Sequence, residues 1–158
     1  MRILVLCHGN MYRSPLFGAV VRAESSHEVR TRGFSQDGRR VPMRMQEEAR
    51  EFGVELEDHR SRHVTGDDLL WAEQIVYMDA GQQERLAKIL PIIRKRGPVV
   101  EPVNAGRFVG RSKIPDPAWL GGKDAFAEAV RLIEAAARNA VRHWERMDEP
   151  PREEELAP

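Results

Sequence analysis

A short unbroken apolar run, Ile3-Leu4-Val5-Leu6, ends at Cys7, and Ser14-Pro15 follows directly after Arg13. Such a run suits a strand buried on both faces. Ser-Pro is a helix-start signal: Ser14 is expected to cap, and Pro15 fits the first turn, where no amide partner is needed. The segment from Cys7 to Arg13 is thereby confined to a tight strand-to-helix loop, with the first helix running from Pro15 to about Glu24.

A loop entering a helix points several backbone N–H groups, and the positive end of the helix dipole, at one spot where an anion belongs. Gly9 lets the backbone turn without a Cβ clash. Arg13 offers a planar fork for two phosphate oxygens. Cys7 stands at the rim of the same electropositive cup, surroundings that favour the nucleophilic thiolate. The spacing Cys-x5-Arg decides nothing alone, because 21 of the 158 residues are Arg. A lone cysteine is more often a small buried apolar residue, but that leaves the glycine two residues on and the Ser-Pro helix start without a reason.

A chain of 158 residues makes one domain with a real core. Its single cysteine supports neither a disulfide framework nor a Cys-rich metal site. With no charged leader before a cleavage site and no apolar run near the roughly 18 residues that span a bilayer, a cytoplasmic chain with a reduced thiol is expected, without membrane partners. The net charge of zero is unevenly placed: Asp148 to Pro158 holds five acids and one Arg, a net of −4, leaving +4 on residues 1–147. That body suits an anionic substrate and falls short of a nucleic-acid footprint. The stretch 148–158, acidic and broken by prolines, reads as a disordered tail.

Further along, His27 to Thr31 is a modest strand candidate, and Ser35 to Pro42 a polar loop. Met43, Met45, Ala49 and Phe52 form a helical stripe of the kind usually found in a core, stopped by Gly53. His59-Arg60-Ser61-Arg62 reads equally well as a solvated charge run ahead of a helix capped by Thr65. A strand over Gln74–Met78 closes on Asp79, which is either a helix N-terminal acid or a ligand-side group at a strand end, and is not taken as catalytic. Gln82 to Arg96 predicts a helix kinked or shortened by Pro91, and Val99 to Val103 an edge strand interrupted by Pro102. Asn104 to Ile114 is irregular and basic. Asp116, held between Pro115 and Pro117, is either a simple turn residue or the carboxyl group that the first motif lacks. From about Lys123 to Met147, Phe126, Val130, Ile133, Ala137, Val141 and Trp144 mark one face of a long amphipathic helix. Strands alternating with helices imply a parallel sheet covered on both faces.

The nine residues CHGNMYRSP, directly after a first apolar strand, resemble the C-x-G-N-x-x-R-S-P loop of the low-molecular-weight protein tyrosine phosphatases. Gly38, Pro42, Ala49 and Gly53 also follow that family's spacing. The resemblance implies a single-domain flavodoxin-like (phosphotyrosine phosphatase I-like) fold, a four-stranded parallel sheet with its first strand central. It implies Cys7, the nucleophile, and Arg13 as catalytic residues and a phosphate-binding loop of His8, Gly9, Asn10, Met11, Tyr12 and Ser14, with Ser14 donating to the Cys7 thiolate. His59 would reach Asn10, Asp116 would be the general acid, and Trp119 a wall for an aromatic ring. No cofactor or metal is called for. The expected substrate is a phosphotyrosine-containing protein, with phosphate or another oxyanion in the loop.

Three other readings use the same loop. Arsenate reductases relay oxidation through additional cysteines, which this chain lacks. Protein-arginine phosphatases of the family carry a polar Thr after the loop Asn, where Met11 stands here. A phosphocarrier or non-catalytic phosphate-binding module has no need of an acid such as Asp116.

Overall fold

The structure, a computed structural model, describes residues 1–149. Four strands, β1 (Arg2–Leu6), β2 (Glu28–Arg32), β3 (Gln74–Tyr77) and β4 (Val103–Asn104), form one sheet in the order β2-β1-β3-β4. All three pairings are parallel, with Leu4 opposite Arg30 on one side and Ile75 on the other. β1 is central because its apolar residues tolerate burial on both faces. Five helices cover the sheet: α1 (Arg13–Glu24), α2 (Met43–Arg50), α3 (Gly66–Trp71), α4 (Ala80–Ile93) and α5 (Lys123–Asp148).

Strand alternation divides the core in two. Ile3, Val5, Val76 and Met78 face α1 and α5, packing with Phe17, Phe126, Ile133 and Trp144. Leu4, Leu6, Ile75 and Tyr77 face the other way, against Leu69, Leu86 and Leu90 of α3 and α4. The apolar face expected for α5 is the buried one, widened by Ala129, Ala136 and Ala140. Those alanines let the helix approach α1 and the sheet closely. β1 connects to β2 on one side and β3 to β4 on the other, so the strand order reverses between β1 and β3. Ligands of open parallel sheets gather outside the carboxyl ends at such a point.

Several local expectations change. Ser14 does not cap α1; the cap position is Tyr12, no side chain caps the helix, and Ser14 is the second helical residue. Met43 is 61% exposed, while Met45 and Ala49 are buried. At about 100° per residue, positions 43 and 45 cannot share a helix face. The expected strand over Val99–Val103 shrinks to Val103–Asn104 at the sheet edge, since Pro102 brings no amide to the ladder. α4 spans Ala80–Ile93 and ends two residues after Pro91, whose missing N–H spares the helix only near its C-terminus. The segment from Asn104 is not irregular throughout: Ala105–Val109 is a 3₁₀ helix closed by Gly110 at φ 66°. Thr65 caps α3 in a reciprocal pair with Asp68, as the sequence suggests. α5 runs to Asp148, one residue past the expected Met147; of the expected tail, 150–158 lie outside the described residues.

Trp144 is 1% exposed and meets Phe108 edge-on, with ring centroids 6.0 Å apart. Trp144→Ala should lower the unfolding free energy by about 3–5 kcal/mol, measured by urea denaturation, with the variant keeping anion affinity at temperatures where it is folded. A loss below about 1 kcal/mol would show that α5 is not seated as described.

Candidate active site

The loop begins where β1 ends. Cys7 is 2% exposed, and its sulfur accepts the Asn10 N–H at 3.2 Å. The Ser14 hydroxyl lies 3.0 Å from the same sulfur. Asn10 Nδ2 donates to Ser14 Oγ at 2.8 Å, which leaves the hydroxyl hydrogen free to point at Cys7. The residue expected to cap the helix is thus turned inward to the thiol. The uncapped N-terminus of α1 leaves its amides and dipole directed at the loop.

Asn10 is the loop's only described non-glycine residue in the left-handed region, at φ 54°. Asn adopts this conformation more readily than most residues, and here it is held from three sides. Its Oδ1 accepts the Arg62 N–H at 2.9 Å, its backbone carbonyl accepts from His59 Nε2 at 2.8 Å, and its Nδ2 is on Ser14. Because a carbonyl only accepts, His59 carries its hydrogen on Nε2. Burial, aided by Arg22, Arg32 and Arg60, outweighs the Asn10 hydrogen bond and pushes the imidazole below its ordinary value of 6.5, so the ring is neutral. Beneath the loop, Phe34 N–H donates to the His8 carbonyl at 2.8 Å, and Gly33 N–H to the Arg62 carbonyl at 2.8 Å. A Cβ on Gly33 would stand 2.8 Å from the His8 oxygen and 2.9 Å from the Asn10 nitrogen. Only glycine permits this contact of backbone on backbone.

Arg13, 2% exposed, carries its guanidinium to the ends of two other segments. Nη1 donates to Asp79 Oδ2 at 2.6 Å and to the Ile114 carbonyl at 2.9 Å. Nη2 lies 3.4 Å from Asp116 Oδ2. Burial raises the Asp79 carboxyl, but Arg13 and the amides of Gly81 and Gln82 more than reverse this, holding it below the usual carboxylate range. Asp79 also caps α4 in a reciprocal pair with Gln82, the helix N-terminal acid expected from the sequence, while it holds Arg13. Asp116 accepts the Ala118 N–H at 3.1 Å and opens the short 3₁₀ turn Pro117–Trp119.

The segment 104–113 sets the position of Asp116. Asn104 Nδ2 donates to the Ser112 carbonyl at 2.7 Å, Ile114 N–H donates to the Met78 carbonyl at 2.8 Å, and Gly106 passes under Arg111 and Lys113 where a Cβ would lie 2.5 Å from a carbonyl oxygen. A cavity of about 600 Å³ results, bounded by His8, Arg13, Asp79, Lys113, Asp116 and Trp119. Trp119 is 85% exposed at its rim. Tyr12 sets its ring edge-on to Phe126 at 6.3 Å, and burial together with the nearby Asp116 carboxylate pushes its phenol above the usual value, while Met11 stays half-buried. Among the described residues, no three His, Cys, Asp or Glu side chains converge as a metal site. Arg13 and Lys113 supply the positive side chains at this cavity. Cys7, Asn10, Ser14 and His59 are thus joined in one hydrogen-bonded network, and Arg13, the residue before Ser14, carries a second one to Asp116. Arg62 through its amide and Gly33 brace the first, Asp79 pairs in the second, and Lys113 lines the cavity, none of them singled out beforehand as site residues.

The strand-loop-helix cup thus holds a cysteine at its base and an arginine at its far end, as the resemblance implies. The model of the family "Low molecular weight phosphotyrosine protein phosphatase" matches residues 2–149, and the chain belongs to that family. A low molecular weight protein-tyrosine-phosphatase of Streptomyces coelicolor is 28% identical over 151 residues, covering 86% of this chain and 88% of the relative. Among solved structures, Vibrio vulnificus Wzb in complex with benzylphosphonate is 28% identical, with a TM-score of 0.78 and coverage of 90% of this chain and 97% of Wzb. The YwlE arginine phosphatase from Geobacillus stearothermophilus shares the fold, with a TM-score of 0.78 at 22% identity over 96% and 98% of the two chains.

A buried histidine with a depressed folded-state pKa adds stability that is complete above about 6.5, the unfolded value, and is lost as pH falls below it. His59→Gln should therefore cost about 1 kcal/mol of unfolding free energy near pH 7.5 and visibly less near pH 5.5. Urea titrations at the two pH values measure the gap, and an equal penalty at both would contradict a neutral, buried His59.

Proposed function

We propose that the chain removes phosphate from protein phosphotyrosine by two in-line displacements at phosphorus, with a phosphocysteine between them. Cys7 thiolate attacks, the S–P bond forms as the P–O bond to the tyrosine ring breaks, and Asp116 gives its proton to the departing phenolate. Water then attacks the phosphocysteine with Asp116 as base, and the thiolate leaves. The loop amides and Arg13 hold the equatorial oxygens as charge spreads over them, so that no ground-state rearrangement is required. Ser14 eases departure of the sulfur by directing its hydroxyl at it. Asn10, braced by His59, keeps the loop closed on the anion, and Trp119 flanks the ring.

The observation that carries this reading is the paired hydrogen bonding of the Cys7 sulfur, 3.2 Å from the Asn10 nitrogen and 3.0 Å from Ser14 Oγ. A small apolar core cysteine needs neither contact. Both stabilise a thiolate and a leaving sulfur. Asp116 favours hydrolysis over a carrier role, because a carrier does not protonate a leaving group. The apolar Met11 favours an aryl ring over a guanidine. Use of a reduced thiol suits the cytoplasm.

Initial rates on a phosphotyrosyl peptide, a phosphoseryl peptide and phosphoarginine test the substrate class, and faster turnover of phosphoarginine would reverse the preference stated here. Asp116→Asn should cut kcat about 10²–10³-fold on phosphotyrosine and far less on aryl phosphates whose phenolate leaves unaided. A loss independent of leaving-group basicity would remove Asp116 from the role of acid.

A further inference from the structure

Beside the phosphate cavity lies a second one of about 750 Å³, between α4 and the segments carrying Phe34 and Val64. His8, Gly81 and Gln82 line both, so the second is a lateral extension of the first. Its floor is apolar: Phe34, Val64 and Leu69 are packed into the core beneath it, and Ile89 closes one side. Its rim is cationic. Arg85 and Lys88, one turn apart on α4, are both exposed, with Glu84 the carboxylate beside them. The Arg85 guanidinium stands 5.6 Å from the centre of the Phe34 ring. Among the described residues, neither Arg85 nor Lys88 takes part in a salt bridge, whereas Arg94 and Arg96 beyond the same helix are paired with Glu101 and Asp67.

We propose that this groove receives the polypeptide flanking the phosphotyrosine, seating an apolar side chain over Phe34, Val64 and Leu69 and an acidic one against Arg85 and Lys88. The inference rests on the phosphotyrosine reading above. A phosphotyrosyl side chain that reaches into the cup leaves its own backbone at the rim, and neighbouring residues must then cross the surface around it. On the side of His8 and Gly81 that surface is the groove. A volume of this size falls within the range of roughly 300–1,000 Å³ usual for ligand sites, and an apolar floor with a cationic edge matches an apolar-acidic sequence rather than a neutral polar one. Phe34 therefore has two tasks: its backbone N–H supports the phosphate loop at His8, and its ring floors the groove. Arg85 and Lys88 act on specificity alone, since neither touches the network around Cys7.

The experiment compares kcat/KM of the wild type and the Arg85→Glu/Lys88→Glu variant on a small aryl phosphate and on three phosphotyrosyl peptides, with apolar-acidic, all-alanine and apolar-basic flanks. The wild type should rank them in that order, through KM more than kcat, and the spread should narrow as salt is raised. In the variant, kcat/KM on the apolar-acidic peptide should fall about tenfold or more, the preference between acidic and basic flanks should reverse, and the aryl phosphate should be unaffected. The same peptide ranking in both proteins would overturn the proposal, as would an equal loss on the aryl phosphate, which would place the effect in the cup. Aryl phosphate turnover by the wild type decides the phosphatase reading separately, and its absence would overturn both.

Discussion

Burying a guanidinium is costly unless every side of it is paired, and Arg13 is almost wholly buried with its charge at the edge of the anion cup. It is answered by Asp79 at 2.6 Å and the Ile114 carbonyl at 2.9 Å, with Asp116 at 3.4 Å beyond. Those partners come from the end of β3 and from the long connection after β4, while Arg13 itself opens α1. One side chain thus ties together three segments far apart in the chain. Arg13 still lines the cavity, and Nη2, 3.4 Å from Asp116, is the nitrogen that the proposed reaction offers to an oxyanion.

The second constraint is a left-handed residue in the loop. Asn10 at φ 54° turns its amide back on the Cys7 sulfur, and His59, Arg62 and Ser14 hold it there. Strain of this kind, on the order of 1 kcal/mol or more, persists only where neighbours over-determine it. The loop is consequently set before any ligand arrives, the condition under which amide dipoles stabilise developing charge most effectively. Gly33 makes the bracing possible by letting the end of β2 run directly beneath His8 and Asn10.

Much of this was legible because it is local. The unbroken apolar β1, the Cys7-to-Ser14 loop and the amphipathic α5 each carry their signal within one stretch, and together they imply a parallel sheet with the loop at its carboxyl edge. Prolines flank Asp116, but it was the resemblance that chose the acid over a simple turn residue. The resemblance to the phosphatases supplied the partner of His59, which the charge run alone left open. What escaped depends on contacts across the chain. Ser14 was expected both to cap and to donate to Cys7; the second is seen, and what nothing nearby revealed is that Asn10 would hold the same oxygen and leave the helix uncapped. Asp79 is adjacent to Arg13 only through the strand order β2-β1-β3-β4, and a strand-end acid before a helix already has a sufficient local reason as its cap. The 3₁₀ fold of Ala105–Val109 rests on Asn104 reaching Ser112 and on Gly106 passing beneath Lys113, contacts that have no periodicity to read.

The account turns on the Cys7 sulfur being the atom that accepts phosphate. Rapid quenching of the enzyme during turnover of a phosphotyrosyl peptide, followed by digestion and mass spectrometry, reads this directly. Phosphate bound to Cys7, appearing and decaying at rates that match turnover, is the result predicted. Phosphate on His8 or His59, or steady turnover with no phosphorylated enzyme at any time, would contradict it.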